Sequence, residues 1–157
     1  MQQRSQWVGI DVSKATLDVY IRPIAQQFQV QNQALGIADL VKRLQGFEIE
    51  QVIVESSGGL ELEVAQALQD AGIAVLIINP RQGRDFAKAS GKLAKTDRID
   101  AAVLAHFGEV LRPAITVLAS NQARALQEAV TRRRQLVEMV SAQKNRRAST
   151  RCDASER

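Results

Sequence analysis

The chain has 157 residues, 45% hydrophobic and 24% charged, with a net charge of +4 and a sequence pI near 9.6. That composition excludes an intrinsically disordered chain and suits one globular domain with an appendage. No apolar run approaches the ~20 residues of a membrane-spanning helix, and the polar start Met1-Gln2-Gln3-Arg4-Ser5-Gln6 is no signal peptide, so a cytoplasmic location is expected. The single cysteine, Cys152, excludes an internal disulfide or a cysteine-based metal cluster.

Trp7 to Val12 is a short apolar run, Thr16 to Ile21 alternates polar and apolar, and Phe28 to Asn32 alternates again. Three strands with short links predict an antiparallel meander. Ile37, Leu40, Val41 and Leu44 recur at helical spacing, with Gly46 as the expected C-cap. Gln51 to Glu55 is a β-branched strand, Ser56-Ser57-Gly58-Gly59 a turn, and Leu60, Val64, Ala67 and Leu68 mark a second helix ending near Gly72. Ile73 to Ile78 is apolar throughout, as expected of a strand covered on both faces, and Asn79-Pro80 stops it. Strand-helix-strand order implies parallel pairing with right-handed crossovers.

From Arg81 the pattern is helical again, interrupted around Gly91, and a further helix carries Asp97 to about Leu111. Residues 1–112 are thus expected to form one domain, 113–119 a connector, 120–147 a long basic helix and 148–157 a disordered tail. Ser120 is the expected N-cap of the long helix. Leu126, Val130, Val137 and Val140 form its stripe, with Arg133 at a place that wants an apolar residue, so the helix reads as a weak coiled coil.

The segment Ala94-Lys95-Thr96-Asp97-Arg98-Ile99-Asp100-Ala101 places two carboxylates three residues apart, on one side of the predicted helix. Asp11 and Glu55 each end an apolar strand. Meander, helix, parallel strand, helix, parallel strand, helices is the order of ribonuclease-H-like domains. There the first and fourth strands are neighbours, so Asp11 and Glu55 would meet. Four carboxylates suit hard divalent cations such as Mg²⁺ or Mn²⁺, which take oxygen ligands and share them with a substrate phosphate.

Taken singly, each acid has an ordinary structural role. Asp11 could cap its turn, Glu55 could open the next one, Asp97 could complement a helix dipole, and Asp100 could be a solvated helix residue. Arg81, Arg84, Lys88, Lys92 and Lys95 recur every three or four residues, a stripe that could follow a phosphate backbone or simply face solvent. Lys14 is either a phosphate contact or an exposed turn lysine. The lone histidine, His106, falls on the apolar side of its helix with Ile99, Val103 and Val110, where a core role outweighs catalysis. Ser56-Ser57-Gly58-Gly59 could offer N–H groups to a phosphate but lacks the lysine and spacing of a P-loop.

Four segments carry a specific resemblance: Val8-Gly9-Ile10-Asp11-Val12-Ser13-Lys14, Val54-Glu55-Ser56-Ser57-Gly58, Ile78-Asn79-Pro80-Arg81-Gln82 and Ala94 to Ala101. Together they resemble the DEDD transposases of bacterial insertion sequences and their Piv-type invertase relatives. That resemblance implies a RuvC-like, ribonuclease-H-like α/β domain with a mixed five-stranded sheet flanked by helices, followed by a long helix. It implies that Asp11, Glu55, Asp97 and Asp100 are the metal-binding acids, that DNA is the substrate, that an element-encoded guide RNA is a further partner, and that the long helix supports homo-oligomer assembly. Family members continue into a C-terminal domain bearing a nucleophilic serine. The reading here is therefore a truncated form, ended by a premature stop, in which the chain alone does not complete transposition. The alternatives are an inactive remnant serving as a dimerisation or nucleic-acid-binding module, and half of an actin-like or sugar-kinase-like phosphotransferase, since Gly9-Ile10-Asp11-Val12-Ser13 resembles the first phosphate loop of those proteins.

Overall fold

In the computed structural model, the residues described are 5–91, 100–118 and 121–153, without the side chains of 121, 122, 124 and 147–153. The chain forms two compact units, Met1–Val117 and Leu118–Arg157. In the first, β1 (Gln6–Val12), β2 (Thr16–Arg22) and β3 (Gln26–Gln31) form the expected meander. Next come α1 (Ala34–Leu44), β4 (Ile49–Glu55), α2 (Glu61–Asp70), β5 (Val75–Ile78), α3 (Pro80–Ala89) and α4 (Ala101–Leu111). The sheet order is β3-β2-β1-β4-β5, with β1 antiparallel to β2 and parallel to β4, and β4 parallel to β5. This is the mixed five-stranded sheet of the ribonuclease-H-like fold.

Strand periodicity gives the sheet two different faces. Registered pairs Val8↔Ile21, Ile10↔Val19 and Val12↔Leu17 put one set of buried aliphatics on one face. The opposite face carries Trp7, Gly9 and Ile53, and there a cluster of Trp7, Ile53, Ile78, Ala87, Val103, Leu104 and Phe107 joins the sheet to α3 and α4. Phe86 adds edge-on contacts to Phe107 and His106, with ring centroids 5.4 and 5.2 Å apart. Arg22 of β2 reaches Glu109 of α4 at 2.6 Å, a second tie across that face.

Several expectations need correction. Helix α1 does not end on a left-handed glycine: Gln45 closes it in helical conformation (φ −61°), and Gly46 is not among the residues with positive φ. Gly72 does take a left-handed conformation (φ +79°) after α2. Strand β5 is an edge strand, and Leu76 and Ile77 are only partly buried. Its apolar run reflects partial cover from elsewhere. Thr116 donates its N–H to Val75 O (2.9 Å) and accepts from Ile77 N–H through its hydroxyl (3.1 Å), while Gln69 donates to Thr116 O. Residues 113–117 therefore belong to the first unit rather than to a free connector, which moves the boundary from 112 to 117. Val110 is 56% exposed while Val103 on the same side of α4 is buried, so that side leaves the core only toward the C-terminal end of the helix.

The second unit contains α5, Asn121–Asp153, which at 33 residues runs about 50 Å. It extends beyond the expected end at residue 147, into the segment expected to be disordered. Residues 121–153 contain no Gly or Pro and many Ala, Arg and Gln, so propensity carries the helix where apolar rhythm has ended. Leu126, Val130, Val137 and Val140 are all more than half exposed on it. Ser120, the expected cap, lies outside the described residues.

If the 113–117 segment is integral to the first unit, Thr116→Val keeps the side-chain shape, removes the acceptor for Ile77 N–H and destabilises the protein by about 1 kcal/mol. The midpoint of urea denaturation measures this loss.

Candidate active site

The site is set by where α4 lands on the sheet. A Cβ built on Gly9 would overlap the carbonyl oxygen of Ala101 and the backbone nitrogen of Ala105. The first turn of α4 therefore rests directly on the backbone of β1, a distance that only glycine permits. Farther along, a Cβ on Gly108 would overlap the side chain of Ile53 and crowd Trp7. Helix α4 thus runs antiparallel to β1, from Gly9 back toward Trp7, with its N-terminus over the C-terminal end of the strand.

Three predicted acids come to that end. Asp11 lies two residues beyond Gly9 and so stands on the α4 face of β1. Glu55 lies two beyond Ile53 on the same face of β4, and the last registered pair before the two acids is Ile10↔Val54. Asp100 immediately precedes Ala101, the residue seated on Gly9. The helix begins at Ala101, not at Asp97 as the spacing suggested. Asp100 is its N-cap in extended conformation, accepting from Val103 N–H at 2.8 Å through Oδ1. An aspartate just before a buried apolar stripe is favoured at the cap because its carboxylate satisfies a first-turn donor. A carboxylate has a second oxygen, so capping and cation binding are compatible roles.

Asp97 lies outside the described residues, as do Lys92 and Lys95. Among the described residues, no group of three or more His, Cys, Asp or Glu is close enough to hold a metal ion. Asp11, Glu55 and Asp100 share one end of one face, but they do not by themselves form a closed cage. The donor set is all oxygen, which fits Mg²⁺ or Mn²⁺, ions that keep water ligands and need only a few carboxylates. Asp18 is the cross-strand partner of Asp11 on the same face, a fifth carboxylate that sequence reasoning missed; it accepts from Gln29 Nε2 at 2.7 Å.

The surrounding cations are only partly as expected. Lys14 is exposed in the β1–β2 turn, at the acidic end of the sheet, in a hairpin closed by Ser13–Thr16 bonds. Helix α3 starts at that end too, because Ser56 N–H binds Ile78 O (2.9 Å) and Asn79 caps the helix directly after β5. Asn79 Oδ1 accepts from Arg81 N–H and Gln82 Oε1 from Asn79 N–H, so Arg81 is locked into the first turn. Arg81, Arg84 and Lys88 are exposed on α3, opposite the buried Gly83 and Ala87. The five-residue stripe does not form on one helix, since α3 stops at Ala89 and Gly91 turns left-handed (φ +69°).

The turn after Glu55 holds a residue that sequence reasoning passed over. Glu61 is 4% exposed, and its carboxylate accepts from Ser56 Oγ (3.2 Å), Ser57 N–H (3.0 Å), Ser57 Oγ (3.1 Å) and Gly59 N–H (3.0 Å). Burial works against the charged form, but the N–H groups of Glu61, Ser57 and Gly59 and the Ser57 hydroxyl together hold its carboxyl below the ordinary value. The donors that the sequence offered to a phosphate are therefore filled by an internal anion. The only sequence signal was a glutamate in the first turn of a helix after a glycine pair, a place the helix dipole also favours.

Two measurements check this local account. Gly9→Ala forces backbone apart on both sides, so it should cost more than the ~1–3 kcal/mol of ordinary overpacking, read by urea denaturation. Stability supplied by Glu61 is fully present above its unfolded-state pKa and is lost as pH falls through the lower folded-state value. The stability difference between wild type and Glu61→Gln should therefore shrink as pH falls below the ordinary glutamate range, about 4.3, measured by denaturation at each pH.

No curated protein matches the sequence. Among solved structures, Thermus thermophilus RuvC in complex with a Holliday junction substrate is similar at 16% identity and a TM-score of 0.49, covering 71% of this chain and 99% of that one. A second Thermus thermophilus RuvC structure gives 19% identity and 0.45, over 77% and 89%. A ROK hexokinase from the same organism gives 15% and 0.42, over 59% and 39%. The family model for transposases of the DEDD, IS110 type matches residues 8–150, and the protein belongs to that DEDD transposase family.

Proposed function

We propose that the first unit is the metal-dependent domain of a DNA transposase or recombinase, acting on phosphodiesters through Asp11, Glu55, Asp97 and Asp100. The observation that carries this reading is the convergence of Asp11, Glu55 and Asp100 on one end of one sheet face, in a chain whose family is defined by four acids. Asp97 joins them by its place in the family motif. Bound Mg²⁺ or Mn²⁺ supplies charge neutralisation to the attacking and leaving oxygens of an in-line displacement. The carboxylates of this chain hold and orient the cations, and the N-terminus of α4 adds its positive end beside the phosphate.

Lys14, Arg81, Arg84 and Lys88, with Lys92 and Lys95, are the cations assigned to the nucleic-acid backbone. Phosphate contacts of this kind set register and salt dependence without reading sequence. The same cations suit the guide RNA that the family resemblance implies. Composition supports backbone contact over base stacking, since only 4% of residues are aromatic. The exposed Leu126, Val130, Val137 and Val140 on α5 support homo-oligomer assembly through that helix. Among the described residues no helix is long and apolar enough to cross a membrane.

A divalent-metal titration tests the reading. Crowded carboxylates repel one another in the absence of a cation, so Asp97→Asn should melt higher than wild type without metal. With Mg²⁺ or Mn²⁺ at about a hundred times Kd, wild type gains about 2.7 kcal/mol and the variant should lose most of that gain. A variant whose melting temperature responds to metal as wild type does would remove Asp97 from the site.

A further inference from the structure

We propose that Glu61 is a positioning residue for Glu55: its buried carboxylate closes the Ser56–Gly59 turn onto itself and so fixes the end of β4 that presents Glu55 to the metal site. The inference deepens the proposed metal-dependent reading and rests on it. Glu55 is the last residue of β4, paired with Ile78 of β5, and the turn beyond it fixes where the chain goes next. That turn has two glycines with positive φ, Gly58 at +75° and Gly59 at +108°, and neither has any atom within 4 Å of where a Cβ would stand. Packing does not hold the glycine pair. Ser56 N–H is tied to Ile78 O on β5, while the hydroxyls of Ser56 and Ser57 and the N–H groups of Ser57 and Gly59 all end on Glu61.

The arrangement has the chemistry of an anion nest filled from within. Two backbone N–H groups and two hydroxyls converge on one carboxylate, which enters from the first turn of α2. Helix α2 is itself locked to the core by Val64, Ala65 and Leu68, all fully buried. The path of restraint therefore runs from the core through α2 and Glu61 to the turn, and from the turn to Glu55. Groups of this outer kind typically change metal affinity by ~10–100-fold when lost, because they fix a ligand that they do not replace. The same filling leaves the donors of this turn engaged by an internal carboxylate rather than open to a phosphate.

The test is Mn²⁺ affinity by titration calorimetry on the full chain, for wild type, Glu55→Gln, Glu61→Gln and Ile21→Ala. Ile21 is fully buried on β2, on the sheet face away from α4 and outside the path through α2, so Ile21→Ala opens a cavity and is the control for destabilisation alone. Glu61→Gln should weaken Mn²⁺ binding by about 10-fold or more, with faster hydrogen exchange at the Ser57 and Gly59 amides, while Ile21→Ala leaves affinity unchanged. Should Glu61→Gln fail to fold, Ser57→Ala removes a single hydroxyl from the carboxylate and should weaken binding in the same direction. Unchanged affinity in Glu61→Gln, or in Ser57→Ala if that substitute is needed, beside a loss in Glu55→Gln overturns the positioning role and leaves the metal site standing. An equal loss in Ile21→Ala also overturns it. Unchanged affinity in Glu55→Gln overturns the metal-site reading and the positioning role together.

Discussion

Backbone-to-backbone contact between β1 and the first turn of α4 is the constraint on which the site depends. Gly9 lacks the atom that would hold Ala101 and Ala105 away, so the helix settles onto the strand. Its seat places Asp100 at the end of β1 where Asp11 emerges, and the antiparallel run returns Gly108 to Ile53 and Glu109 to Arg22. One missing methyl thus brings acids that lie about ninety residues apart in sequence to the same end of the sheet. The cost is a position with no tolerance, since relief would need movement of two main chains rather than a rotamer.

A second constraint acts across the sheet. Parallel pairing of β1 with β4 brings Asp11 and Glu55 to the same end and face, but a strand end is only as fixed as the turn it enters. After Asp11 the chain enters a hairpin closed by Ser13 and Thr16. After Glu55 it enters an open glycine turn whose donors converge on Glu61. A buried carboxylate with four donors is kept ionised by those donors, against the penalty of leaving water.

Much of this fold was legible because periodicity and turn chemistry agree. The meander from Trp7 to Asn32, the β-branched Val52 to Val54, and the Asn79-Pro80 stop to β5 all identify their elements locally. Glu55 was readable as a strand end, since a charge after an apolar run marks where burial stops, whereas Asp11 is followed by Val12, still in β1 and buried. Asp100 was readable as an acid but not as a cap, because a helical spacing of acids looks the same one residue inside a helix as one residue before it. The interruption expected around Gly91 is where α3 gives way: the helix stops at Ala89 and Gly91 turns left-handed, so the basic spacing does not continue on α3. Glu61 was missed for a different reason: its importance lies in four donors that only the folded turn brings together. The role of Thr116 was hidden likewise, since a polar residue in a connector gives no sign that it will complete a strand edge.

That Thr116 segment also makes the two borders of the sheet unequal. On the β5 side, an amide and a hydroxyl already engage the main chain at Val75 and Ile77. On the other side stands β3, with Gln26, Gln27, Gln29 and Gln31 along it and no further strand beyond it in the sheet order. Glutamine is uncharged and can form ladders between stacked strands, unlike the lysines with which exposed borders are usually guarded. The propensity of this domain to self-associate by strand addition is therefore one-sided, and a lysine introduced along β3 is where solubility would be gained.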